Sequence, residues 1–228
     1  KDKFTGEPLV DRILDVAEQN GTGRWAVQIA LDLEVPIPTI AAAVDARAIS
    51  SQKASRLLAA QKLGSYCEET DMTANLDINL IGEALLGAKL CAYAQGIQLI
   101  SEGSKKFCWQ INLAKCLSVW TGGCIIRAKI LKTMIEVLLR TPKPNNLILE
   151  SSLTDTVKST IPALRKVTMA AVALGIPVPS LSASLSWYDA IRSEKLPQNL
   201  TQAQRDAFGA HSYERIDEPG KRIHTKWV

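Results

Sequence analysis

Two stretches of this chain hold residue types suited to gripping an anion. Near the carboxy-terminal end, Arg205 and His211 stand six positions apart with Gly209 between them. Arginine offers a planar fork of donors for phosphate, and histidine adds a donor that can become cationic. A helix end followed by a turn would bring both onto one ligand. Composition by itself favours a solvated tail, because residues 205–228 hold five Lys/Arg against four Asp/Glu and build no strong field. Near the other end, Gly21-Thr22-Gly23-Arg24-Trp25 opens a helix. Free N–H groups and the helix dipole favour anions there. A simple turn is the plain alternative. Neither stretch supplies a positioned acid, base or nucleophile, so no catalytic residue is nominated in this chain.

Bulk properties narrow the field. The 228 residues make one large domain or two small ones, and a hydrophobic share of 46% is enough for a substantial core. A net charge of +4, with both signs interspersed, argues against a dedicated nucleic-acid binder. No apolar run reaches membrane-spanning length, and no partner membrane is expected. Lys1-Asp2-Lys3-Phe4 is neither an initiating methionine nor a leader, and reads as the middle of something longer. Five cysteines without a CxxC pair, and only two histidines, leave little for a metal site. Cys67, Cys91, Cys108, Cys116 and Cys124 read as small buried hydrophobes in a reducing cytosol.

The elements that must position the candidates are helical. Leu9, Val10, Ile13, Leu14 and Ala17 share one face of a helix over 7–19. A second helix runs from Trp25 to Leu33 and stops at Val35-Pro36-Ile37-Pro38. Thr39 is placed to cap a helix reaching about Leu63. Glu68 to Asn79 reads as a loop or short helix. The small residues of 80–103 (Gly82, Ala84, Gly87, Ala88, Cys91, Ala92, Ala94, Gly96) predict a helix in tight contact with another. Further helical periods fill 107–140, Thr141-Pro142-Lys143-Pro144 connects, and 151–174 forms a helix ended by Gly175. Ser180 and Asn199 are placed to cap helices to about Ser193 and Phe208. No alternating strand pattern, GxGxxG or P-loop is present, so the chain supplies no nucleotide-binding unit. Phe208, Tyr213 and Trp227 argue that the tail folds back or lies across a partner rather than staying disordered.

One internal echo stands out. Val35-Pro36-Ile37-Pro38-Thr39-Ile40 returns as Ile176-Pro177-Val178-Pro179-Ser180-Leu181, 141 residues on. Two unrelated helix–turn–helix joints would produce it, and so would a duplicated helical unit. In the duplicated case the second unit starts near residue 80. The first would then start about sixty residues before Lys1, and would lack its leading helices in this chain.

Several blocks together resemble one family. Gln202-Ala203-Gln204-Arg205-Asp206, Phe208-Gly209-Ala210-His211-Ser212-Tyr213-Glu214 and His224-Thr225-Lys226-Trp227 resemble the carboxy-terminus of the 6-phosphogluconate dehydrogenases. Gly21-Thr22-Gly23-Arg24-Trp25, Tyr93-Ala94-Gln95-Gly96, Trp120-Thr121-Gly122-Gly123-Cys124-Ile125-Ile126-Arg127 and Leu196-Pro197 are similar to further family blocks, in the same order. The resemblance implies an all-α, internally duplicated multi-helix domain with an extended C-terminal tail, the family's N-terminal Rossmann domain being absent from the chain. Its divisions would be 1–80 for the remainder of the first repeat, 81–200 for the second, and 201–228 for the last helix and tail.

The resemblance implies a function as well. The family is homodimeric and cytoplasmic (organelles left open). It converts 6-phosphogluconate with NADP to ribulose 5-phosphate and CO2 in the pentose phosphate pathway and gluconate utilization. The NADP is bound mainly by the missing domain, and this fragment alone would be inactive. Its phosphate-binding arginine and histidine in the tail map onto Arg205 and His211, the tail entering the partner subunit, and a further phosphate-binding arginine maps onto Arg47. Asn20 falls where the family has a substrate-side lysine, and Asn20 and Thr22 are weaker substrate contacts. Thr121 stands in place of a basic residue and Asp45 in place of an aromatic. The family's catalytic lysine and glutamate belong upstream. The rival reading is a non-catalytic helical dimerisation module of the same fold.

Overall fold

The computed structural model describes residues 1–64 and 76–227. Cys67 and the expected loop from Glu68 lie outside the described residues, apart from the end of that stretch, which enters a helix. Within the described residues the chain forms two compact units, Lys1–Trp187 and Tyr188–Val228.

The first unit is helical. It contains α1 (Thr22–Asp32), α2 (Pro38–Ser51), α3 (Lys53–Leu63), α4 (Ile78–Lys106), α5 (Leu113–Trp120), α6 (Leu131–Arg140), α7 (Ser151–Ala173) and most of α8 (Pro179–Ile191). Its centre is the contact of α4 with α7. The small-residue face of α4 is what allows it. Ala84, Gly87, Ala88, Cys91 and Ala94 are all buried there. A Cβ on Gly87 would stand 3.1 Å from the Thr160 Oγ1 of α7, so α4 approaches α7 as closely as a hydrogen permits. From α7, Leu153, Val157, Ile161 and Leu164 are buried in the core. The Asp77 carboxylate caps α4 by accepting from the Leu80 N–H at 2.7 Å. Burial also pushes the Cys91 thiol up to about 12. Cys91 is thus the buried small hydrophobe that was expected. Cys108 is exposed, and Cys116 and Cys124 are half-buried.

The echo in the sequence is an echo in the backbone. After α1, the Val35 N–H donates to the Ala30 carbonyl at 2.9 Å and the Glu34 N–H to that of Leu31 at 3.2 Å. After α7, Ile176 donates to Ala171 at 2.8 Å and Gly175 to Val172 at 3.1 Å. Glu34 and Gly175 both adopt left-handed backbone, with φ of 55° and 66°. Each joint is the same helix-ending turn, and each is followed by a helix that starts on proline.

Thr39 does not cap α2. The N-cap is Ile37, and Thr39 lies inside the helix and is buried. Its N–H donates to Gln95 Oε1 at 3.1 Å, Gln95 Nε2 donates to its Oγ1 at 2.9 Å, and that oxygen lies 2.9 Å from Ser184 Oγ. Gln95 and Ser184 are fully buried. A closed polar network therefore ties α2 to α4 and α8, and this tertiary use outcompetes the cap. Ser180 likewise lies within α8, and its carbonyl accepts from Ser184 Oγ at 2.7 Å. The expected single helix from 39 to 63 is broken at Gln52, whose ψ of 46° ends α2 before α3 begins.

The segment 7–19 is not a helix. Only Leu9–Arg12 forms a turn of 3-10 helix, and Leu9, Val10, Ile13 and Leu14 are exposed. Polar bonds to α2 and α3 hold the chain instead. Asp15 pairs with Arg56 at 2.8 Å and Lys53 at 2.7 Å, and the Ala17 N–H donates to Ser50 Oγ at 2.9 Å. The Arg56 guanidinium, then the Lys53 ammonium, hold the Asp15 carboxyl well below the usual carboxylate range.

The second unit holds the end of α8, then α9 (Gln198–Gly209) and an antiparallel hairpin of β1 (Tyr213–Arg215) and β2 (Glu218–Ile223). Pro197 is the N-cap of α9, and Asn199 sits inside its first turn. No alternating apolar pattern announces the hairpin, because its strands are almost wholly exposed.

The α4–α7 contact sets the cost of core truncation. Leu164→Ala, at a fully buried position, should destabilise the domain by about 2–5 kcal/mol. Met169→Ala on the exposed side of the same helix should cost less than about 1 kcal/mol. Urea denaturation of the two variants checks this, and equal losses would contradict the packing described.

Candidate functional site

The first unit gathers its candidates in a cleft at the entrance of α1. Gly21 takes φ of +90°, a left-handed conformation that turns the chain into the helix and that other residues rarely adopt. Gly23 answers a different need. A Cβ there would stand 2.9 Å from Val44 Cγ2, so the first turn of α1 rests directly on α2. This places the open N–H groups of α1 beside Arg47, which projects from α2. Residues 17–21, Arg24, Arg47 and Ser51 line a cleft of about 660 Å³.

The chain leading into α1 is hung from α2 by side chains. Gln19 Nε2 donates to the Val44 carbonyl at 3.3 Å, and the Arg47 guanidinium donates to the Glu18 carbonyl. Arg47 is thereby tied to the strip at Glu18, two residues before Asn20, and Asn20 and Gly21 line the same cleft. Asn20 and Arg47, both named through the family resemblance, line one cleft, while Thr22 is exposed in the first turn of α1 outside the cleft lining. Arg24 joins them and was not singled out as a contact. Its signal is its place three residues into α1 from a left-handed glycine. Two guanidinium groups and free helix-entrance N–H groups suit an oxyanion. Asp45 is exposed on α2, and Thr121 is the C-cap of α5, with its hydroxyl donating to the Ser118 carbonyl at 2.7 Å.

The second unit holds Arg205 and His211. Both are exposed, Arg205 on α9 and His211 just beyond its end. Gly209 makes room for the histidine, since a Cβ there would stand 2.8 Å from the imidazole. Between the two candidates in sequence lies Asp206, which is fully buried. Its Oδ1 accepts from the Ser212 N–H at 2.8 Å and bonds His224 Nδ1 at 2.9 Å. Its Oδ2 accepts from the Thr225 N–H at 3.0 Å and the Trp227 indole at 2.9 Å. An ionised carboxylate only accepts, so Nδ1 of His224 carries the proton in that bond.

Burial alone pushes the Asp206 pKa up. The Thr225 N–H, His224, Trp227 and Ser212 donors outweigh that and hold the carboxyl well below the usual carboxylate range. His224, which the sequence leaves without a role, and Trp227, expected to pack back or across a partner, are both fastenings of the tail on Asp206. Trp227 also packs against Tyr213, with ring centroids 6.3 Å apart, while Phe208 remains exposed. Asp206 was missed, and one signal could have found it. An acid in the last turn of a helix faces the negative end of the dipole, so it needs donors from elsewhere.

Among the described residues the strands form a single two-stranded antiparallel hairpin, and no helix is long and apolar enough to cross a membrane. The hairpin does not fit a dinucleotide, which is received by a parallel sheet and its glycine-rich turn.

Fold and clefts together define a helical domain with a basic entrance at α1 and a separately ordered arginine- and histidine-bearing end. The family description "6-phosphogluconate dehydrogenase, C-terminal domain" matches residues 1–227. The chain belongs to that family, in that domain. It is 46% identical to the NADP(+)-dependent, decarboxylating 6-phosphogluconate dehydrogenase of Bacillus subtilis, over all of this chain and 49% of that protein. It is 44% identical to the decarboxylating 6-phosphogluconate dehydrogenase of Synechocystis, over all of this chain and 48% of that protein. Among solved structures it is similar to Plasmodium falciparum 6-phosphogluconate dehydrogenase, which has been solved in its apo form, in complex with its cofactor NADP+ and in complex with its substrate 6-phosphogluconate. That likeness has a TM-score of 0.88 at 37% identity, over 99% of this chain and 49% of the other. The chain spans about half the length of the curated relatives it matches.

The Asp206 cluster implies a pH dependence. Because the folded-state pKa is depressed, its stabilisation is fully present above the ordinary aspartate value of about 3.9. It is lost as pH falls from there towards the folded-state value. The melting temperature of the wild type should therefore exceed that of Asp206→Asn at neutral pH, and the gap should narrow below about pH 4. A gap that widens on acidification would contradict the assignment.

Proposed function

We propose that this chain is the C-terminal half of an NADP-dependent 6-phosphogluconate dehydrogenase, supplying the substrate's phosphate grip and a homodimer interface. The observation that carries the reading is the α1 cleft, where Arg47, tied to the Glu18 carbonyl, shares the lining with Asn20, Gly21 and Arg24. A phosphate there would meet guanidinium forks and helix-entrance N–H groups. Arg205 and His211, from the tail of the partner subunit, complete the grip, while Thr22 lies outside the cleft lining and is left out of it. Asn20 contributes a hydrogen bond without the charge of a lysine.

Holding the phosphate fixes the sugar acid at its far end. That aligns the reacting carbons for hydride transfer and for loss of CO2, and binding energy remote from the chemistry is spent on orientation. NADP supplies the hydride acceptor when bound, and its binding belongs to the half of the protein not in this chain, as do the acid and base. The divisions 1–80, 81–200 and 201–228 fit this reading as two repeats and a reaching tail. The identical hydrogen bonds of the two joints support the duplication. Soluble cytoplasmic catalysis in the pentose phosphate pathway is the setting proposed.

The test uses the complete protein with 6-phosphogluconate and NADP+. Arg47→Ala and Arg205→Ala should each raise KM for 6-phosphogluconate about ten- to a hundredfold, the worth of a charged hydrogen bond. KM for NADP+ should not move. Unchanged KM for 6-phosphogluconate in both variants would overturn the phosphate assignment. Absence of any turnover by the complete wild-type protein would favour a non-catalytic dimerisation module.

A further inference from the structure

The stretch around His211 is more tightly built than an exposed arm requires. Ala210 and Ser212, on either side of the histidine, both adopt left-handed backbone, with φ of 49° and 56°. Such conformations are costly for residues with a Cβ and persist where surrounding bonds over-determine them. Here the bonds are countable. The Ala210 N–H donates to the Asp206 carbonyl at 2.9 Å, and the Ser212 N–H to the Asp206 carboxylate at 2.8 Å. Gln202 Nε2 donates to the Ser212 carbonyl at 2.6 Å. Arg222 Nε donates to Ser212 Oγ, and its Nη2 to the His211 carbonyl, both at 3.0 Å.

Gln202 also reaches the other candidate, because its Oε1 accepts from Arg205 Nη1 at 2.9 Å. One amide thus joins the Arg205 guanidinium to the loop that carries His211. Asp206 locks the same loop from beneath and anchors it to Thr225 and Trp227.

We propose that Asp206 and Gln202 are positioning residues that preset Arg205 and His211 as one unit before substrate arrives. This rests on the reading of Arg205 and His211 as phosphate ligands. A preset pair binds without the cost of ordering two free side chains, so its loss falls on substrate binding rather than on the chemical step. Asp206→Asn keeps the shape but turns an amide N–H₂ towards donors that the carboxylate now receives. Gln202→Leu removes both amide bonds and leaves the Asp206 cluster in place.

The experiment measures kcat, both KM values and inhibition by inorganic phosphate in the complete protein, for Asp206→Asn, Gln202→Leu and Arg205→Ala. For the first two variants, KM for 6-phosphogluconate and the inhibition constant of inorganic phosphate should rise together by about tenfold. Their kcat and KM for NADP+ should stay at wild-type values. If Asp206→Asn does not fold, the same readouts on Gln202→Leu decide. Unchanged KM and phosphate inhibition in Asp206→Asn and Gln202→Leu, with both raised in Arg205→Ala, would overturn the positioning role and leave the phosphate reading standing. Unchanged values in Arg205→Ala as well would overturn both. A parallel loss of kcat and of NADP+ affinity in the positioning variants would mark a merely structural role and also overturn the proposal.

Discussion

A carboxylate sealed from water organises the C-terminal unit. Asp206 has no exposed surface, and such a charge is tolerated only when donors replace the water it has lost. Four donors do so, from residues 6 to 21 positions away. The last turn of α9, the loop at 210–212 and the end of the chain are thereby bound to one point. The hairpin between them has almost no buried side chains, so its position follows from these bonds and from its own ladder rather than from a core. The order of Arg205 and His211 is a consequence of the same arrangement.

The first unit follows a related logic around its cleft. The chain at 15–19 belongs to the stretch 7–19 whose spacing suits a helix, yet Asp15, Ala17, Glu18 and Gln19 are all engaged by α2 and α3. Those engagements tie Arg47 to the segment at Glu18, in the cleft that Asn20, Gly21 and Arg24 also line. The helices themselves are fixed at a distance by the α4–α7 contact and by the Thr39–Gln95–Ser184 network. Every side-chain nitrogen and oxygen of this network has a partner, which favours a single arrangement of the buried groups.

Much of the helical framework was legible in the sequence because it depends on local signals. The Val35-Pro36-Ile37-Pro38 and Gly175 stops, the small-residue face of α4 and the echo at 141 residues all correspond to backbone features. What was not legible depends on partners far along the chain. The face of Leu9, Val10, Ile13 and Leu14 has helical spacing, but no described neighbour buries it, and polar bonds to α2 and α3 take the segment instead. Thr39 has the chemistry of a cap but spends its hydroxyl on Gln95 and Ser184. For the site, the clustering of Asn20 with Arg47 was anticipated from the family likeness, whereas Asp206 and Gln202 act only through contacts that spacing does not reveal.

In the proposed function, the α1 cleft of one subunit and the Arg205–His211 pair of its partner receive the phosphate of one substrate molecule. A crystal structure of the complete protein with 6-phosphogluconate bound tests it most directly. The phosphate oxygens should lie within hydrogen-bonding distance of Arg47 in one subunit and of Arg205 and His211 supplied by its partner. A phosphate seated away from Arg47, or an Arg205–His211 pair that touches no substrate, would contradict it.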